Sequence, residues 1–293
     1  MLKTTWEIVS ETFKAWMSDD VFRWAAAIAF YTVFSLAPIL LISVGITGLV
    51  FSEERAQRQI VQEIESLTGP EGGKVAEQVF ENMVDMEQSP RAIILGVIAI
   101  VVGSTAVFAN LQAALNHIWN VQPKKNRSAV KDLLRVRVRS FGIVLGVGFL
   151  LLVSMVVSAL ISGLQTFMPE RLEAIPVIWQ TLNVLISFVI IALLFAMIYK
   201  YLPDVKISWR HVMLGSAITS ILFSLGKSLI GVYLGQVAVG SAYGAAGSFV
   251  VLLIWIYYSA MIFFLGAEFT QVYARKFTGR VQPENHAEKL PDS

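Results

Sequence analysis

Lys227 is the one charged residue between Val212 and Ala267, and hydroxyls recur around it: Ser216, Ser220, Ser224 and Ser228 stand at four-residue spacing, with Thr219 beside them. On a helix, residues 220, 224, 227, 228 and 231 share a face, so an ammonium and several hydroxyls would point together. Such a face suits an anionic group, for example a phosphate-bearing lipid head or an organic acid. The serines alone have a plainer reading. Small and hydroxylated residues let helix backbones approach closely, and a second ladder at Ser154, Ser158 and Ser162 fits the same rule. Tyr31 and Ser35 lie one turn or two before Pro38, and Ser104, Thr105 and Asn110 are further polar insertions. Glu268 is a lone acid in the last apolar stretch, a helix-end anchor or a partner for Arg23, Arg139 or Arg275. The uncharged segment 235–247 carries Tyr243, Gly244 and Gly247. It reads either as a flexible loop or as non-helical backbone lining a cavity, with the second favoured.

Other chemistries have no residues to carry them. The chain has no cysteine, which removes disulfides, thiolate metal sites and thiol nucleophiles. Its three histidines, His117, His211 and His286, are far apart, and no acid lies within four residues of the first two. His286 sits beside Glu284 and Glu288 in a polar tail that reads as solvated. No P-loop, nucleophile elbow or His-Glu-x-x-His occurs. The expectation is a non-enzyme with no catalytic residues, no metal and no cofactor.

The elements that must position these residues are membrane spans. Hydrophobic residues make up 56% of the chain and charged ones only 15%, against about a quarter in a soluble domain. A crossing needs about 20 apolar residues, and the charge-free intervals place spans near 25–50, 92–110, 141–164, 177–199, 212–234 and 248–272. The fold class is therefore all-α, a polytopic bundle of about six spans occupying 24–273. Of 23 Lys and Arg residues, 17 fall in 1–23, 111–140, 200–211 and 273–293. Basic flanks face the cytoplasm, so both termini are expected there.

Three connections carry more detail. In residues 1–23, Trp6, Val9, Phe13, Trp16 and Met17 recur at helical spacing, which predicts an amphipathic helix in the cytoplasmic interface rather than a cleaved signal. The acidic external loop 51–91 predicts two short helices hinged at Gly69 and Pro70. Lys124, Lys125, Arg127, Lys131, Arg135, Arg137 and Arg139 face one acid, Asp132. That density suits anionic lipid headgroups. Nucleic acid is not expected, because no aromatic stacking platform accompanies the charges. Residues 274–293 are expected to be a polar cytoplasmic tail.

Three stretches, Ala25–Leu41, Ala114–Val121 and above all Tyr243–Phe269, resemble the YihY/BrkB family of bacterial inner-membrane proteins. Members have been called ribonucleases, serum-resistance factors and transporters, so the resemblance implies a fold and an inner-membrane location more than an activity. The residues argue against RNA cleavage, since clustered metal ligands are missing from the sequence. The combined reading is a transporter or translocator of a lipid, lipid-linked anion or small solute, without its own ATPase, singly or as an oligomer among membrane lipids. The alternative is a non-transporting scaffold or an envelope-stress or virulence-associated factor.

Overall fold

The computed structural model describes residues 2–47, 52–68, 73–74, 76–81, 106–124, 142, 176–236, 247–279 and 281–290. In chain order these give α1 (Leu2–Ser18), α2 (Val21–Thr47), α3 (Glu53–Thr68), α4 (106–118), β1 (Val121–Pro123), α5 (Pro176–Tyr201), β2 (Val205–Lys206), α6 (Trp209–Gln236), α7 (Gly247–Thr278), β3 (Gln282–Pro283) and β4 (Ala287–Lys289). By length and composition, Trp209–Ile230 and Phe249–Thr278 are able to cross a membrane, and Val21–Val33 and Leu185–Tyr201 are shorter apolar helices. The expected span 141–164, apart from Gly142, lies outside the described residues, as does 92–105.

Local chemistry sets the helix ends. Asp20 takes φ 52° between α1 and α2, and Asn120 takes φ 53° just after α4; short polar residues tolerate this left-handed conformation best among non-glycines. Pro176 opens α5, where a missing N–H costs nothing. Ser208 caps α6: its Oγ accepts from the Arg210 N–H at 3.3 Å and its carbonyl from His211 and Val212, an arrangement worth about 1 kcal/mol. Gly279, at φ 81°, ends α7.

Helix α7 is the hub, packing against α6, α2 and α1, while α5 packs on α6. The α6–α7 contact runs antiparallel through two reciprocal seats. A Cβ at Gly215 would overlap Thr270, and one at Gly266 would overlap Thr219. Each threonine returns its hydroxyl to its own helix, Thr219 to Gly215 O and Thr270 to Gly266 O, both at 2.7 Å. From α5, buried Tyr199 donates to Phe263 O at 2.6 Å and lies 3.1 Å from the Thr219 hydroxyl. Between helices in lipid, apolar burial supplies little net drive. Close packing and such hydrogen bonds, about 0.6 kcal/mol each, hold the bundle.

The segments 1–23, 106–124, 200–211 and 273–290 meet at one end of this bundle. β1 pairs antiparallel with β4 and β2 with β3, so the C-terminal segment bridges two connections. Lys276 and Arg275 reach Glu7 and Glu11 of α1 at 2.7 and 3.1 Å. The tail is thus not a free polar extension. Its backbone is paired and its His286 is buried, which corrects the solvated reading. At the α2–α3 region, Leu40, Ile60, Ala76 and Phe80 form a separate small cluster, with Ile64 and Val79 against it.

Helix α1 is amphipathic with a divided aromatic set. Trp6, Val9, Phe13 and Met17 are exposed along one stripe. Trp16, expected on that stripe, instead turns inward and donates its indole N–H to Met261 O at 3.1 Å.

Candidate functional site: a pocket built on Asp204

Asp204 follows α5 in the turn Leu202–Pro203–Asp204 and is 3% exposed. Asn116 and Gln112 stand one turn apart on α4 and present both amides to it. Asn116 holds Asp204 at two points, Nδ2 donating to Oδ2 at 2.9 Å and Oδ1 accepting the Asp204 N–H at 2.8 Å. Gln112 Nε2 donates to both carboxylate oxygens at 3.2 Å. His286 Nε2 lies 2.7 Å from Oδ1, and its Nδ1 lies 3.3 Å from Glu284 Oε2. The Glu284 N–H donates to the Asp204 carbonyl at 2.9 Å. Four buried polar side chains from three segments thereby satisfy one another, as buried polar groups must.

Asp204, Glu284 and His286 also bring one ligand atom each to within 4.8 Å of one another. The spacing along the chain concealed this grouping. A cation there would have to compete with the amide N–H donors already on both Asp204 oxygens, so the cluster is better described as a hydrogen-bonded clasp than as a metal cage.

Beside the clasp is a pocket of about 360 Å³, lined among others by Trp24, Ala113, His117, Asp204, His286 and Leu290. The Trp24 indole Nε1 is buried, without a hydrogen-bond partner among the described residues. The ring of His117 lies 6.4 Å from that of Trp24. Apolar walls with a few convergent polar groups are what small-molecule sites are made of.

The polar residues singled out in the sequence are distributed differently. Ser216 and Ser220 are buried, Ser216 bonding to Met213 O at 3.1 Å and Ser220 to Phe188 O at 3.3 Å. These are packing hydroxyls. Lys227, Ser224 and Ser228 are exposed, on the same side of α6 as Ile221, Leu225 and Leu229. Lys227 thus lies on an accessible side of α6 and not in its packed face with α7. The reason is helical geometry: Gly226 is the residue turned onto α7, against Ile262 and Tyr258, and the next position is rotated about 100° away. Tyr31 is half-buried and Gly247 is buried at the start of α7. Glu268 is buried deeply, at 1% exposure. Arg23 pairs with Asp20 rather than with it. Lys124 is exposed and donates to Asn285 O at 2.9 Å. Tyr243, Gly244, Lys125, Arg127, Lys131, Arg135 and Arg139, and the side chain of Ser35, lie outside the described residues.

Sequence reasoning missed Gln112, Asn116 and Asp204. One signal was present: Gln112 and Asn116 are uncharged amides four residues apart on the Leu111–Leu115–Ile118–Trp119 stripe, and three of those apolar residues are buried.

Two apolar helices of membrane-crossing length, packed through glycine and threonine, are of the kind that helical integral membrane proteins contain. Residues 12–291 match the family described as Virulence factor BrkB, and the chain belongs to that family. It is 25% identical, over 94% of its length, to a UPF0761 membrane protein of Psychrobacter sp. (strain PRwf-1), and 26% identical, over 91%, to one of Alkalilimnicola ehrlichii. A further UPF0761 membrane protein, of Glaesserella parasuis serovar 5, is 26% identical over 75% of the chain and 74% of its own length. The chain spans 50% and 57% of the length of the first two relatives. No solved structure matches. The relatives are bacterial membrane proteins, in agreement with the family resemblance.

Proposed function

We propose that this chain is a transporter or translocator in the bacterial inner membrane, with about six spans, both termini in the cytoplasm, and the Asp204 pocket as its inner mouth. The observation that carries the reading is the pocket itself. A buried polar clasp costs stability unless every member is satisfied, and here it shapes a cavity instead of being replaced by apolar packing. The orientation draws support from the meeting of segments 1–23, 106–124, 200–211 and 273–290 at one end, since these include the strongly basic flanks.

The substrate is a small organic molecule, or the head of a lipid, that offers a hydrogen-bond acceptor. Asp204 spends its oxygens on Gln112, Asn116 and His286, so the pocket does not present a bare carboxylate to a cation. His117, exposed on α4 and lining the pocket, offers an imidazole N–H. Organic acids and phosphate-bearing heads fit that chemistry. No phosphate-binding loop for ATP occurs in the chain, so flux follows a gradient or a partner. The reading is non-enzymatic and involves no nucleic acid. The test is uptake by proteoliposomes holding the purified chain, with radiolabelled succinate and glycerol 3-phosphate as soluble probes and a fluorescent phospholipid for scrambling. Uptake or scrambling above protein-free vesicles supports the reading; absence of both favours a non-transporting scaffold.

A further inference from the structure

Residues 200–210 cover the end of α5, β2 and the start of α6, and hold three cations, Lys200, Lys206 and Arg210, against one acid, Asp204. That acid is buried and taken up by Gln112, Asn116 and His286, so the outward charge here is positive. Burial of Val205 and Ile207 on one side of the strand turns Lys206 to the outside. Arg210 is exposed in the first turn of α6. Among the described residues none of the three cations forms an ion pair. Tyr201 and Trp209 are 51% and 46% exposed, and their rings stand edge to face with centroids 6.0 Å apart. Lys200 donates to Ile207 O, and its Nζ lies 5.8 Å from the centre of the Trp209 ring. Along α6, Arg210 heads a stripe of exposed Leu214, Ile221, Leu225 and Leu229 at helical spacing. The membrane-length stretch Trp209–Ile230 opens at this aromatic pair.

We infer that this patch is a docking surface for an anionic phospholipid, with its headgroup toward Lys206 and Arg210 and an acyl chain along Leu214 and Ile221. Trp and Tyr favour the membrane–water interface, where a ring can be apolar at one end and wet at the other. Basic side chains at the head of an apolar stripe reach back to the phosphates. A zwitterionic lipid would suit the rings but bring its own cation toward the lysine and arginine. A free phosphate would suit the cations but leave the two rings and the leucine stripe in water. A lipid of net negative headgroup meets both demands. None of these five residues lines the Asp204 pocket. The inference needs the chain to sit in a membrane and stands whether or not the protein transports.

The experiment is photo-labelling of the purified full chain in detergent, mapped by mass spectrometry. The probes are phosphatidylglycerol and phosphatidylcholine, each carrying a diazirine in one acyl chain. Each base near an anionic headgroup is worth about fivefold in affinity, so phosphatidylglycerol should label residues 209–221 at least ~10-fold more than phosphatidylcholine. Lys206→Gln combined with Arg210→Gln should bring it down to the phosphatidylcholine level, while Lys206→Arg with Arg210→Lys should keep the preference. Trp209→Ala should lower labelling by both lipids. Lys206 and Arg210 are exposed, so their replacement leaves the packed core alone, and the comparison of two lipids on the parent chain needs no variant. Equal labelling by the two lipids, or a preference that survives the double Gln variant, would overturn the surface. So would displacement by soluble glycerol 3-phosphate as effective as by unlabelled phosphatidylglycerol, because the cations would then hold a free phosphate.

Discussion

His286 and Asp204 lie 82 residues apart in the chain and share a 2.7 Å hydrogen bond in a buried cluster. The contact joins the C-terminal segment to the turn after α5, and through Asn116 and Gln112 it reaches α4. His286 and Leu290 also line the pocket, so the clasp that holds the tail is part of the pocket wall.

Removing the centre of the clasp should release the tail. Asp204→Ala leaves Gln112, Asn116 and His286 without their shared acceptor. Hydrogen bonds to a charged group contribute about 1.5–3 kcal/mol each, and each 1.4 kcal/mol of local opening energy is about tenfold in exposure. Trypsin should cut after Lys289 at least about tenfold faster in the variant, with α7 intact by mass spectrometry. An unchanged cleavage rate would mean that the two short β-pairings hold the tail without Asp204.

The glycine seats on α6 and α7 should tolerate no side chain. Gly266→Val places methyls onto Thr219 and Tyr199, and overpacking of this kind costs about 1–3 kcal/mol. Thermal unfolding in detergent should show a clearly lowered Tm. Gly142, where a Cβ would meet nothing within 4 Å, serves as control, and Gly142→Ala should be close to neutral. Equal effects at both positions would contradict the reciprocal packing.

Much of the scaffold was legible because lipid imposes a one-dimensional rule. Charge-free length alone placed α2, α5, α6 and α7 to within a few residues of their observed ends, apart from the last turns that extend α7 to Thr278. The preference for packing over a polar path at Ser216 and Ser220 also follows from composition, since serine beside glycine marks close approach. The Asp204 clasp was not legible. Its members come from α4, the turn after α5 and the tail, and only tertiary structure brings them together. The polar stripe read from Ser220 to Gly231 is not uniform in burial: it spans three helical turns and passes from a buried face at Ser220 to an exposed one at Ser224, Lys227 and Ser228.

Lys227→Met should therefore be nearly silent. An exposed position away from the packed faces changes stability by about 0.5 kcal/mol or less, so Tm and flux should match the parent protein. A loss of flux with unchanged folding would return Lys227 to the substrate path.

Orientation can be read with single cysteines, since the chain has none of its own. A membrane-impermeant maleimide should label Gln62→Cys on intact cells. Arg210→Cys and Asn285→Cys, both exposed at the end where the basic segments meet, should react only after permeabilisation. Labelling of Asn285→Cys from outside would reverse the proposed topology.

The most direct test of the pocket as an inner mouth is occlusion. Ala113 is exposed on α4 and lines the pocket without taking part in the clasp, so Ala113→Trp fills the cavity while leaving Asp204 and its partners in place. Met213→Trp, at an exposed site on α6 away from the pocket, controls for added bulk. Flux of the soluble and lipid probes is measured in proteoliposomes carrying equal amounts of each folded protein. The account predicts flux in the parent and in Met213→Trp, and its loss in Ala113→Trp. Flux through Ala113→Trp at the parent's rate would contradict it.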